Sequence, residues 1–145
     1  MAEDGCAFCS IVRGEAEAGL ILEGERTLAF LDRRPLFPGH VLLVPREHHE
    51  TLSDLPHDLL GPLFADAQLL ARAVEEAMGA TGSFVAINNR VSQSVPHLHV
   101  HVVPRRPKDG LRGFFWPRQH YESAEAMHAV AERLRTAVGR LRSER

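Results

Sequence analysis

Between Pro96 and Pro104 the chain reads His97-Leu98-His99-Val100-His101-Val102-Val103. Three histidines alternate with apolar residues, a period of two that predicts a β-strand whose successive side chains face opposite ways. On that strand His97, His99 and His101 share one face, while Leu98, Val100 and Val102 share the other. Wound as a helix, the same spacing would scatter the imidazoles round the cylinder and form no common site. The plainer reading is a half-exposed strand with a polar face. Three imidazoles in succession argue against it, because imidazole is a poor core filler that needs partners when buried.

The segments before this strand supply short elements. Leu20–Glu23 and Thr27–Leu31 read as two strands of a hairpin, separated by Gly24-Glu25-Arg26. Asp32 follows at the strand end, where an Asp commonly caps a turn and can also accept hydrogen bonds from a ligand's hydroxyl groups. Arg33 to Gly39 is a turn-rich connection, and His40–Pro45 is an almost continuous apolar strand expected to be covered on both faces. His48 and His49 stand at its exit among charged residues. From about Pro56 to Met78 the pattern becomes helical, with Leu60, Leu63, Ala67, Leu70, Val74 and Ala77 on one stripe. Gly79 supplies the stop, and Pro62 is tolerable only near the helix start.

Ser83–Ile87 is a further strand, ending in Asn88-Asn89. So few residues separate it from the histidine strand that the two must run antiparallel, since a parallel crossover needs about a dozen or more. Asn88, Gln93 and Ser94 are then expected beside the mouth of the histidine face. Arg105 to Gly110 is a basic loop, either a solvated turn or a place for substrate phosphates. Gly113-Phe114-Phe115-Trp116-Pro117 groups aromatics of the kind that more often plug a core or an interface than hold a base. A last helix is expected from about Ser123 to Arg142, with Ala126, Val130, Leu134, Ala137 and Leu141 on one stripe and Ser123 as its N-cap.

Composition narrows the class. At 145 residues, with 44% hydrophobic and 25% charged residues, the chain is expected to be one soluble domain spanning 1–145. The formal net charge of -2 gives no sign of broad nucleic-acid or membrane affinity. No apolar run approaches the roughly 20 residues that span a bilayer, and the acidic start is unlike a signal peptide. A cytoplasmic protein is therefore expected. Cys6 and Cys9 are the only cysteines, so a disulfide framework is excluded as the source of stability. Their CxxC spacing fits a redox pair, half of a metal site, or chance. A closed zinc site needs four ligands, and histidines would have to supply the other two.

The stretch His97–Val103 fits the pattern of the histidine-triad (HIT) family, His-φ-His-φ-His-φ-φ with φ apolar. Cys6–Glu15, Ala29–Asp32, Pro38–Pro45 and Gln93–Val95 also resemble segments of that family, in their usual order. The resemblance covers about residues 6–106, with the aromatic segment and C-terminal helix over 107–145 matched more loosely. It implies an α+β fold: a five-stranded antiparallel sheet, a long helix and a C-terminal helix, with two chains pairing into a ten-stranded homodimer. It also implies an enzyme that hydrolyses or transfers nucleotidyl groups at the α-phosphate of purine nucleotide conjugates, such as dinucleoside polyphosphates or nucleoside phosphoramidates. A nucleotide-binding regulatory or scaffold module with little turnover is the alternative.

Residue by residue, the resemblance makes His99 the nucleophile that forms a nucleotidyl-histidine intermediate. His101 would bond the α-phosphate or the leaving oxygen, Gln93 and Ser94 would hold the scissile region, Asn88 would steady the phosphate, and Asp32 would take the ribose hydroxyls. The zinc-containing bacterial members imply a structural Zn2+ on Cys6, Cys9, His48 and His97, with His49 as the rival to His48. No organic cofactor is implied. The chain departs from the family at Arg90-Val91-Ser92, where many members carry a glycine-containing loop.

Overall fold

A computed structural model describes residues 3–112 and 118–144. The aromatic segment Gly113–Pro117 singled out in the sequence lies outside the described residues. The chain divides into two compact units, Met1–Asp109 and Gly110–Arg145. In the second, α3 (Ala124–Ser143) is capped by Ser123, whose hydroxyl accepts from the Ala126 amide at 3.0 Å. None of its residues is buried within that unit; Leu134 and Leu141 on the expected stripe are exposed.

The first unit opens with α1 (Ala7–Val12), followed by β1 (Leu20–Glu23), β2 (Thr27–Leu31), β3 (Val41–Pro45), a 3-10 turn (Leu52–Asp54), α2 (His57–Met78), β4 (Gly82–Ala86) and β5 (Val100–Arg105). The five strands form one antiparallel sheet in the order β1-β2-β3-β5-β4. This is the α+β, five-stranded arrangement expected. Gly39, in the β2–β3 connection, has φ +96° and lies so close to Met78 that an added Cβ would stand 2.7 Å from Met78 Cγ. Both facts require glycine there.

The pleat of β3 divides the core. Val41 and Leu43 pack with Ala29, Leu98, Val100, Val102 and the buried stripe of α2. Leu42 and Val44 pack with Leu28, Phe30, Cys6, Phe8 and Cys9 on the opposite face, under α1. All five residues of β3 are buried, as a strand covered on both faces should be. Leu42 pairs with His101 in the β3–β5 register, so the histidines fall on the α1 face and the alternating apolar residues on the α2 face.

Two expectations are corrected. The buried stripe of α2 is Leu59, Leu63, Ala67, Leu70 and Val74: Leu59 replaces Leu60, which is only half-buried, and Ala77 is exposed. Steps of four, four, three and four keep these residues in one line facing the sheet. The regular strand also begins at Val100 rather than at the first histidine. The β4 ladder ends where Ala86 meets His101, and the Leu98 amide pairs instead with the His49 carbonyl at 2.7 Å. The alternation of faces nevertheless persists through His97 and His99. No helix among the described residues is long and apolar enough to cross a membrane.

Candidate active site and metal centre

α1 begins on Cys6, whose sulfur accepts from the Cys9 amide at 3.4 Å and caps the helix. One helical turn therefore places both sulfurs on the same side. His97 Nδ1 lies 3.5 Å from each sulfur, and His48 Nδ1 lies 3.3 Å from Cys9 Sγ. The four donor atoms all fall within 4.8 Å of one another. His49 turns away, its Nε2 lying 3.1 Å from Glu47 Oε1.

The outer nitrogens show which tautomer each ring holds. His97 Nε2–H donates to the Pro45 carbonyl at 2.9 Å, and His48 Nε2–H donates to Glu3 Oε2 at 2.9 Å. Each ring thus presents an Nδ1 lone pair to the cysteines, the arrangement a metal-binding histidine requires. Burial holds His97 at about 4, so it remains neutral and free to ligate at physiological pH. Burial pushes the Cys9 thiol up, and the thiolate a metal site needs would be favoured by a cation among the donors. Cys6, Cys9, His48 and His97 fit a closed structural zinc site by donor type, number and orientation.

A second cluster, Asp32, His40 and His101, also brings three possible ligands together. Its hydrogen bonds point to different chemistry. The Leu36 amide donates to His40 Nδ1 at 3.1 Å, which leaves the proton of neutral His40 on Nε2. That Nε2 lies 3.0 Å from His101 Nδ1 and 3.7 Å from Asp32 Oδ2. His40 therefore donates to His101 Nδ1, and the proton of His101 sits on Nε2. A cation on His40 Nε2 would need the lone pair that the Leu36 amide has already moved to Nδ1, so this group fits a proton-ordering chain rather than a metal.

His101 Nε2 is buried and has no partner among the described residues, which makes it a donor held ready. Burial, with His99 and His40 adding to it, holds His101 at about 4. His99 Nδ1–H donates to the His97 carbonyl at 2.7 Å, so its Nε2 carries the free lone pair. Burial also lowers the pKa of His99, favouring the neutral base. Phe8 stands edge-on to His99 at a centroid distance of 5.0 Å and to Phe30 at 5.3 Å.

These groups border a cavity of about 630 Å³. Phe8, Ile11, Phe30 and Leu42 give it apolar walls, while Asp32, Ser94, His99 and His101 bring polar groups. One oxygen of Asp32 accepts from the Arg34 amide at 2.9 Å. Gln93 and Asn88 are not among the lining residues. The Gln93 carboxamide accepts from the Arg90 amide at 2.8 Å and donates to the Glu50 carbonyl at 2.7 Å, fastening the 90–93 loop. That loop holds Arg90 and Ser92 at φ 68° and 61° without a glycine. Asn88 is exposed.

His40, Glu3 and Phe8 were not legible as site residues. His40 reads as the first residue of an apolar strand; its place on the same pleat face as Leu42 was the available signal.

The HIT domain profile matches residues 13–108, well over half of the chain. This chain belongs to the HIT family. It is 33% identical to the adenosine 5'-monophosphoramidase hnt1 of Schizosaccharomyces pombe, over 92% of this chain and 98% of that protein. It is 32% identical to the adenylylsulfatase HINT3 of Arabidopsis thaliana over 75% of this chain, and spans 56% of that longer protein. Among solved structures, a Zn-bound histidine triad family protein from Mycobacterium smegmatis is similar at 39% identity and a TM-score of 0.70, covering 92% of this chain and 97% of that one.

Proposed function

We propose that this HIT protein is a hydrolase of purine nucleotide conjugates that works through His99. The observation that carries the reading is the pair of fixed tautomers: a bare lone pair on His99 Nε2 and, on the neighbouring ring, an unpartnered N–H at His101 Nε2. The two rings lie 4.9 Å apart between centroids. Nucleophilic attack needs a neutral base, and departure of the leaving group needs a proton donor.

In the first half-reaction His99 Nε2 attacks the α-phosphorus. A P–N bond forms, the bond from phosphorus to the leaving oxygen or nitrogen breaks, and the departing atom, bonded by His101 Nε2–H as its negative charge develops, takes its proton from solvent. In the second, water attacks the phosphorus, the P–N bond breaks to restore the lone pair on His99 Nε2, and the water's proton passes to solvent. A nucleoside monophosphate is released. Asp32 would take the ribose hydroxyls and the apolar walls the purine, while Ser94 would meet the phosphate. Gln93 and Asn88 would act from outside the cavity wall, through the loops they occupy.

Two relatives named as an adenylylsulfatase and an adenosine 5'-monophosphoramidase support an adenylyl group as the transferred part. Cys6, Cys9, His48 and His97 would hold Zn2+, a reading supported by the Zn-bound relative. Bound there, the ion would supply a cross-link between α1 and the β-sheet.

The test is turnover of diadenosine tri- and tetraphosphate, adenosine phosphoramidate, ADP and a nucleotide sugar by the wild type and His99→Ala. The wild type should release nucleoside monophosphate from at least one substrate, and the variant should lose on the order of a thousandfold or more of that rate. Tight nucleotide binding with no release from any substrate would replace this reading with a sensing module.

A further inference from the structure

We propose that Glu3 closes the zinc site from outside and sets how tightly the ion is held, an inference that rests on the zinc reading above. This one residue touches three of the four candidate ligand residues. Its carbonyl accepts from the Cys6 amide at 3.3 Å, its amide donates to Cys9 Sγ at 3.3 Å, and its carboxylate accepts from His48 Nε2–H at 2.9 Å. The fourth, His97, has its outer nitrogen bonded to the Pro45 carbonyl. Every imidazole of the set therefore has an oxygen behind it.

The three contacts act in one direction. An amide N–H aimed at sulfur favours the thiolate over the thiol. A carboxylate behind an imidazole fixes the tautomer and strengthens the lone pair on the inner nitrogen. The carbonyl bond to Cys6 ties the segment before α1 to the helix that carries both sulfurs. As an isolated surface contact, the Glu3–His48 bond would contribute little, because the carboxylate side chain is 64% exposed. Its effect arises through His48, whose side chain is only 14% exposed and has its inner nitrogen against Cys9.

The measurement is Zn2+ affinity and release, by competition with a chromophoric chelator at fixed pH, for the full chain and for Glu3→Ala and Glu3→Gln. The wild type should bind one Zn2+ per chain. Glu3→Ala should bind it about 10- to 100-fold more weakly and release it faster. Glu3→Gln keeps an acceptor oxygen without the charge and should fall between them. Metal-free wild type and Glu3→Ala should melt at the same temperature, since the contact matters only through the ion.

Equal affinities of wild type and Glu3→Ala would overturn the proposal. So would equal losses of stability with and without metal, which would make Glu3 a structural contact only. A wild type that binds no Zn2+ at any concentration would overturn the zinc reading itself, a different outcome from either.

Discussion

His40 decides which nitrogen of His101 carries the proton, and it does so because a backbone amide, Leu36 N–H, has already taken its own Nδ1. The order of donation runs from Leu36 to His40 to His101 and ends at an N–H with no partner among the described residues. His40→Ala should therefore lower kcat about ten- to a hundredfold while leaving KM within a factor of about two, because it frees the His101 tautomer without touching the apolar walls. Steady-state kinetics on the best substrate would check this; a change confined to KM would remove His40 from the chain. At this scale the sequence was legible where pattern and chemistry coincide. Three histidines at period two place their own faces, and His97, His99 and His101 stand where that alternation puts them. His40 and Glu3 were not legible, because a single polar residue at a strand entrance or near a terminus has no periodicity to set it apart. Gln93 reads from the sequence as a residue of the site mouth, yet its carboxamide is spent on the Arg90 amide and the Glu50 carbonyl.

At the scale of elements, the strand pairs and the long helix follow from their patterns. Leu20–Glu23 and Thr27–Leu31 occupy the residues expected, and β4 and β5 are antiparallel. α1 was missed because six residues make too few turns for a helical period to show, and its start depends on a cysteine cap rather than on Ser, Thr, Asp or Asn. The α2 stripe was misplaced by one residue at its start, since Leu59 and Leu60 are adjacent and identical in type. The sheet distinguishes them: Leu59 is 1% exposed and within the core under the sheet, whereas Leu60 only flanks it. Leu59→Ala should destabilise the fold by about 2–4 kcal/mol and Leu60→Ala by about 1 kcal/mol or less. Urea unfolding of the two variants would measure the difference, and equal midpoints would mean that both leucines share the stripe.

For the first unit as a whole, α1 links two tasks that the chain keeps on one six-residue helix. One side carries the sulfurs of the candidate metal centre, and the other lends Ala7, Phe8, Ser10 and Ile11 to the cavity wall. Phe8 sits between the two cysteines and also stands edge-on to His97 and His99. The sheet contributes the remaining donors, from His97 on the approach to β5 and His48 after β3. A metal ion at this centre would therefore fix the cavity wall as well as the fold. Cys9→Ser should lower zinc content well below one per chain and reduce Tm by roughly 10 °C, the shift that a loss of about 3 kcal/mol gives in a chain of this size. It should also raise KM several-fold, because Phe8 and Ile11 lose their fixed position against Phe30 and Leu42, while His99 keeps its bond to the His97 carbonyl. Metal analysis, a thermal melt and a KM determination on the same preparation separate the two effects. If zinc and Tm fall while KM stays at the wild-type value, the cavity wall is held by the apolar contacts of α1 alone, and the metal centre serves only the stability of the fold.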